Sequence, residues 1–288
     1  MANTLLKPAL GSKINFAHPL GRDLQICLLF NEGGGDTVYN SAMMQIGSME
    51  GGYGAKIQGM TPRSPTTGWN YSPEGSVLVF DGTGDWIEMS KVDYILPVKP
   101  VTYIVRVCPT NVGGRRDIIG RDRSGYTNIG AIGIYDFDGG KYLFYTGGSG
   151  FNSNVVAVAN QWTTLSFSWD GTTAIWCVDG KITNKGSFTA ASVAGRGFKI
   201  GNRYNLDHPY IGLISYAMAY GRALSEKEMI ELYAFPYAMF IENKTWLEYG
   251  EASGWSNIAK YNGVASADIA KINGVAVADI AKINGVAV

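Results

Sequence analysis

The sequence predicts an all-β fold: a two-sheet antiparallel jelly-roll sandwich with one short C-terminal helix and a β-type repeat tail. Three observations point there. Short β-forming runs recur from Leu24 to Tyr220, bounded by Gly, Asn, Asp and Ser turns. A single segment near the end carries a helix start signal. Residues 256–288 are three near copies of one unit, SNIAKYNGVAS, ADIAKINGVAV and ADIAKINGVAV. The composition agrees, since 38 Gly, 17 Tyr and 7 Trp suit many short strands joined by tight turns.

Residues 1–20 form an irregular arm, and the sandwich occupies 21–240. Its first strand is Leu24 to Phe30, followed by the loop NEGGGDTVYN (31–40). Residues 41–75 lack a clear period and read as a long ordered loop with room for one strand. Ser76 to Phe80 and Trp86 to Met89 flank the turn DGTGD, and Val101 to Val107 alternates as a strand. Ile118-Ile119 precedes the polar loop 120–128. Ile132 to Tyr135 and Lys141 to Tyr145 bracket Asp136-Phe137-Asp138-Gly139-Gly140 as a hairpin. Val155 to Val158, Trp162 to Trp169, Thr173 to Val178, Phe198 to Ile200 and Tyr210 to Tyr220 complete the strands, with Asp170-Gly171 and Asp179-Gly180 as turns. Ser225 with Glu228 three residues on is a capping box, Met229, Leu232 and Tyr233 supply a helical stripe, and Pro236 ends the helix.

A linker spans 241–255, and the repeats occupy 256–288. Each copy places Asn-Gly, the strongest short turn signal, between β-formers. An isolated hairpin is marginal in water, so the tail is expected to order through partners, as an oligomerisation or assembly element. Ile269, Ile272, Ile280 and Ile283 are the apolar contacts expected there, with Asn273 and Asn284 aligned as a ladder. A homo-oligomer follows, with a trimer as the favoured count.

Charge excludes several classes. Lys+Arg and Asp+Glu balance at 24 each with no basic run, which gives no footprint for nucleic acid. No stretch is long and apolar enough for membrane insertion, and the start lacks a secretory signal pattern. Cys27, Cys108 and Cys177 sit in apolar, strand-like contexts and read as buried thiols of a chain made in a cytoplasm. Catalysis is not expected. Glycoside hydrolysis needs two carboxylates flanking the scissile bond, yet Glu226, Glu228 and Glu231 lie on the helix, and Asp136 and Asp138 belong to a turn. Nucleophile-elbow and phosphate-loop motifs are absent, and the two histidines, His18 and His208, are far apart in sequence, with His18 expected to make a structural hydrogen bond. Sugar sites combine an aromatic platform with a few polar groups. The loops 120–128 and 201–212 offer such sets: Arg121, Arg123 and Tyr126 in the first, and Tyr204, Asn205, Asp207, His208 and Tyr210 in the second.

Five pieces in order resemble the concanavalin A-like, laminin-G-type jelly rolls: HPLGRDLQICLLFNEGGGDTVYN (18–40), VLVFDGTGDWIEM (77–89), WTTLSFSWDGTTAIWCVDG (162–180), FKIGNR (198–203) and YIGLISYAMAYGRALSEKEMIELYAFPYAMF (210–240). The resemblance implies the sandwich fold over roughly residues 18–240. It also implies a structural calcium at Asp36, Asp81 and Asp85, against the simpler reading that Asp81 and Asp85 cap a tight turn. No other cofactor is required. The HPL opening, the Pro-Tyr closing and the short repeats are most similar to versions in tailed-phage virion proteins.

The functional expectation is therefore a non-enzymatic virion structural protein, a capsid decoration or a tail or fibre component. Its repeat tail would join sister chains and other virion proteins, with adhesion to a host surface glycan as an added role. The alternative is a carbohydrate-binding module of a bacterial or phage surface protein, and a glycan-cleaving enzyme comes third. The expected location is the virion, after synthesis in the host cytoplasm, or else the bacterial cell surface.

Overall fold

The computed structural model describes residues 7–42, 54–60, 67–89, 99–121, 129–146, 148–190, 198–203 and 206–240, together with short strand pairs in the repeats. The chain divides into two units, Met1–Ile241 and Glu242–Val288.

The first unit is a sandwich of two eight-stranded sheets, antiparallel at every pairing among the described residues. Its strands are β1 (Leu24–Leu28), β2 (Thr37–Val38), β3 (Ala55–Gln58), β4 (Gly68–Ser72), β5 (Gly75–Asp81), β6 (Trp86–Met89), β7 (Val101–Pro109), β8 (Arg116–Arg121), β9 (Ile129–Tyr135), β10 (Lys141–Thr146), β11 (Ser149–Val156), β12 (Thr163–Trp169), β13 (Thr173–Val178), β14 (Lys181–Ser187), β15 (Phe198–Ile200) and β16 (Ile211–Tyr220). One sheet runs β14-β13-β12-β7-β16-β5-β4, with β1 also on β16; the other runs β11-β10-β9-β8-β15-β6-β3-β2.

The core between the sheets follows from alternation. In β12, Leu165, Phe167 and Trp169 point inward, while Thr164, Ser166 and Ser168 point to the opposite face. Phe144 of the second sheet stacks on Phe167 with centroids 4.0 Å apart. The outer face of the first sheet is covered as well. Helix α1 (Glu226–Ala234), the chain around Ile14 and Leu20, and Met239 and Phe240 pack on Cys27, Ile104, Cys177, Met218 and Tyr220. Ser225 and Glu228 form the reciprocal capping box. Met229 and Leu232 are buried, whereas Tyr233 lies at the surface, its ring filling the space where a side chain at Gly180 would sit. His18 Nδ1 accepts the Leu20 N–H at 3.1 Å. Lys7 donates from Nζ to the carbonyls of Leu29 (2.7 Å), Ser215 on β16 (2.6 Å) and Ser76 on β5.

The strand assignment differs from the sequence reading mainly at polar strands, including β2 within the predicted loop 31–40. The span 41–75 holds β3, β4 and the first residue of β5 rather than a single strand. The edge strands β11 and β14 are longer than, or absent from, the predicted set. Their sequences, SGFNSNVV and KITNKGS, lack an apolar alternation, so neighbours rather than burial define them. All three cysteines are free and buried. Burial raises the Cys177 thiol to about 11 and Cys27 further, so both stay protonated.

In the second unit, strands β17 (Lys260–Tyr261) and β18 (Val264–Ala265), β19 (Lys271–Ile272) and β20 (Val275–Ala276), and β21 (Lys282–Ile283) and β22 (Val286–Ala287) form three antiparallel pairs, one per repeat. Ile272 and Ile283 lie on strands, while Ile269, Asn273, Ile280 and Asn284 fall outside the described residues.

Candidate functional site

The β9–β10 hairpin presents the exposed ring that anchors the site. Asp136–Asp138 make one 3-10 turn, which Gly139 and Gly140 close at φ 69° and 72°, a region glycine occupies without strain. Gly139 N–H donates to Asp136 O and Gly140 N–H to Tyr135 O, both at 3.0 Å. Asp136 Oδ1 accepts the Phe137 N–H at 2.8 Å, so this acid is engaged in turn geometry. Phe137 is thereby held outward, 65% exposed.

Below it the strands set the phase. Ile132, Ile134, Tyr142 and Phe144 face the core, which puts Tyr135 and Tyr145 on the outer face of the second sheet. Phe137 meets Tyr135 edge-on with centroids 5.2 Å apart, and Tyr145 lies 6.0 Å from Tyr135. The Arg115 guanidinium sits over both tyrosines, 4.7 Å from the Tyr135 centroid and 5.2 Å from that of Tyr145. Tyr135 is consequently 0% exposed although it points away from the core.

Its hydroxyl donates to Asp117 Oδ1 at 2.6 Å, and Asp117 Oδ2 lies 3.2 Å from His208 Nδ1. Burial, joined by the charge of Asp117 and partly offset by Arg115, keeps the Tyr135 phenol well above its ordinary range, so it remains a donor. The loop bearing His208 is tied to the start of β8 twice more, by Asp117 N–H to His208 O (3.0 Å) and by Arg116 Nη1 to Pro209 O (3.3 Å). Gly133 leaves room for this chain of contacts. A Cβ there would lie 2.4 Å from Arg116 O, 2.7 Å from Tyr135 Cε2 and 3.0 Å from Asp117 Oδ1.

Of the glycan residues read from the sequence that are described, His208 joins this cluster, with Asp207 Oδ1 3.7 Å from its Nδ1. Asp207 is engaged by Arg203 through Nε and Nη2. Tyr210 is 0% exposed, packs edge-on against Phe80 with centroids 6.0 Å apart and belongs to the core, so it offers no face to a sugar. Tyr126 and Tyr204 lie outside the described residues. Arg115, Asp117, Tyr135, Phe137 and Tyr145 went unrecognised. The usable signal was strand phase, since Tyr135 and Tyr145 fall out of step with Ile134 and Phe144.

The calcium set does not assemble. Asp36 is exposed, accepts from Thr37 Oγ1 (2.9 Å) and pairs with Lys56 (3.4 Å). Asp81 Oδ1 accepts the Thr83 N–H at 2.6 Å as a turn cap. Asp85 Oδ2 accepts from Thr67 Oγ1 (2.6 Å) and Asp81 N–H (2.9 Å). Among the described residues no group of three or more His, Cys, Asp or Glu is placed to hold a metal ion. Hydrogen bonds of turn type thus engage Asp36, Asp81 and one oxygen of Asp85, while Asp85 Oδ1 is buried without a partner among the described residues.

The model of the concanavalin A-like lectin/glucanases superfamily matches residues 81–229, more than half of the chain. The chain belongs to this superfamily. Solved structures share the concanavalin A-like fold at low identity. Domain 4 of AbnA, an extracellular arabinanase from Geobacillus stearothermophilus solved in complex with arabinotriose, superposes with a TM-score of 0.53 at 17% identity, over 73% of this chain and 98% of that one. The sialidase of Trypanosoma rangeli, solved in complex with sialic acid, superposes with a TM-score of 0.55 at 12% identity, over 75% of this chain. This concanavalin A-like chain spans 33% of the sialidase. No curated protein matches the sequence.

Proposed function

We propose that the protein is a non-catalytic carbohydrate-binding module that holds a glycan against Phe137 and Tyr145. One observation carries the reading: an exposed phenylalanine and a partly exposed tyrosine adjoin a guanidinium and an Asp–His pair on one sheet face. Rings supply an apolar platform for the C–H face of a sugar, and flanking polar groups orient its hydroxyls. The fold supports it, because the similar arabinanase domain was solved with arabinotriose and the similar sialidase with sialic acid. Asp117 serves as a positioning group, since its two oxygens face Tyr135 and His208. Affinity electrophoresis through gels containing arabinan, galactan, pectin and bacterial surface polysaccharides tests the proposal. At least one should retard the wild type, and Phe137→Ala should migrate as in a blank gel.

A second reading, assembly within a virion or on a bacterial surface, is favoured by the three strand pairs that recur once per repeat. Repeated short hairpins gain stability by joining copies from sister chains, and several weak glycan sites then act together. Removing residues 256–288 should turn an oligomer, with three chains as the expected count, into a folded monomer by light scattering. An unchanged mass would exclude a role of the tail in assembly.

A further inference from the structure

Two arginines of the sandwich show what the side-on fork of a guanidinium, its Nε–H and Nη2–H pair, does in this protein. Arg106 directs both donors at Glu74, with Nε 2.6 Å from Oε2 and Nη2 on Oε1. Arg203 does the same with Asp207. Arg115 departs from this pattern at both donors, whereas Arg116 does so at Nε alone and uses Nη1 on Pro209 O. The Arg115 Nε and Nη2 are shielded from bulk water and find no acceptor. Asp117 is directed toward Tyr135 and His208, and Asp136 Oδ1 toward the Phe137 N–H. On the same hairpin Asp138 Oδ1 lies 3.5 Å from Asn152 Nδ2, while its Oδ2 is buried without a partner among the described residues and makes no hydrogen bond with Arg115.

Buried donors without an acceptor carry their full desolvation penalty, and a native structure that retains them calls for an acceptor from outside. The parallel N–H pair matches a carboxylate bidentately, in a way that neither a hydroxyl nor a single carbonyl can. Arg115 is fixed in place by the Tyr135 and Tyr145 rings, so the fork is pre-organised.

We propose that the ring cluster selects carboxylated sugars, a hexuronic or a nonulosonic acid, with Arg115 Nε and Nη2 clamping the carboxylate while Phe137 and Tyr145 contact the sugar ring. The inference rests on the glycan-binding reading and adds the substrate class. Phe137 is exposed at the hairpin tip, and a carboxylate reaches Nε and Nη2 only once the side chains that shield them move.

Calorimetric titration of the full chain tests it with two matched pairs: trigalacturonate against its methyl ester, and sialyllactose against lactose. The acid of at least one pair should bind about tenfold or more tighter than its neutral partner. Which pair shows the preference identifies the acid. Arg115→Gln should erase the preference, so that acid and neutral partner bind equally whatever the affinity they share, and Arg115→Lys, which keeps the charge without the fork, should lose most of it. Melting curves for both variants establish that they fold. Equal binding within both pairs, or a preference that survives in Arg115→Gln, overturns the clamp. If equal binding is lost in Phe137→Ala, the glycan reading stands while the acid selectivity fails. Binding of none of the four probes and none of the gel polysaccharides overturns both.

Discussion

Tyr135 donates its phenolic hydrogen to Asp117 Oδ1 at 2.6 Å, joining β9 to β8 on the outer face of the second sheet. That contact connects the ring cluster to the histidine side of the site, because the other Asp117 oxygen faces His208. Tyr135→Phe removes the donor and keeps the ring. The loss should be about 0.5–3 kcal/mol of unfolding free energy in a denaturant titration, because a buried hydrogen bond to a charged acceptor is removed. A loss near zero would mean that the bond is not formed in solution.

Core aromatics should behave differently. Trp169 is buried between the sheets and its Nε1 donates to Phe188 O at 2.9 Å. Trp169→Ala should cost about 3–5 kcal/mol, from the lost contacts and the cavity left behind. Phe167 and Trp176 share that layer, whereas Trp162 precedes β12, is only partly buried and lies under the Arg106 guanidinium at 5.7 Å. Trp162→Ala should therefore be milder than Trp169→Ala.

Lys7 gives the arm a pH signature. Burial lowers its ammonium from 10.5 to about 7, more than Glu74 and Glu32 raise it. Between those values the unfolded chain holds the proton more tightly, so stability rises with pH across that window and the gain is gone below it. Wild-type melting temperature should climb between about pH 7 and 9.5 relative to Lys7→Met, which removes the titrating group. Parallel curves would show that Lys7 keeps its ordinary basicity in the fold.

Glu228 gives the opposite dependence. Burial alone would raise its carboxyl, but the hydrogen bonds from Arg222 and Ser225 outweigh it and hold the group at about 2. Its stabilising share is present above the ordinary value of 4.5 and lost as pH falls toward about 2. Glu228→Gln keeps a capping acceptor but removes the charge that faces Arg222 at 2.7 Å, so it should cost about 0.2–1 kcal/mol at neutral pH and flatten the acid limb of the stability curve.

The sequence revealed elements whose burial writes a period into them. Alternation in β12 exposed the core phase of Phe167 and Trp169, and Ser225 with Glu228 marked the helix start. Strands β4 and β14 are sheet edges, and β3 has only the two-residue β2 beyond it; all three carry polar residues, so pairing defines them and no pattern shows. The site was hidden for a related reason. Tyr210 reads as an available ring, yet it shares the phase of Ile214 and turns inward. Asp117 and His208 meet across 91 residues of sequence, a proximity that only the β8–β15 pairing and the loop after it create.

The central claim is that a glycan rests on the hairpin rings. Backbone amide shift mapping tests it most directly, by titrating isotope-labelled protein with the oligosaccharide of the best-retained gel polysaccharide. The account predicts that the largest shifts fall within Arg115–Asp117 and Tyr135–Tyr145, with a smaller set at His208. Shifts centred instead on the exposed Tyr39 and Tyr71, with the β9–β10 hairpin unmoved, would contradict it.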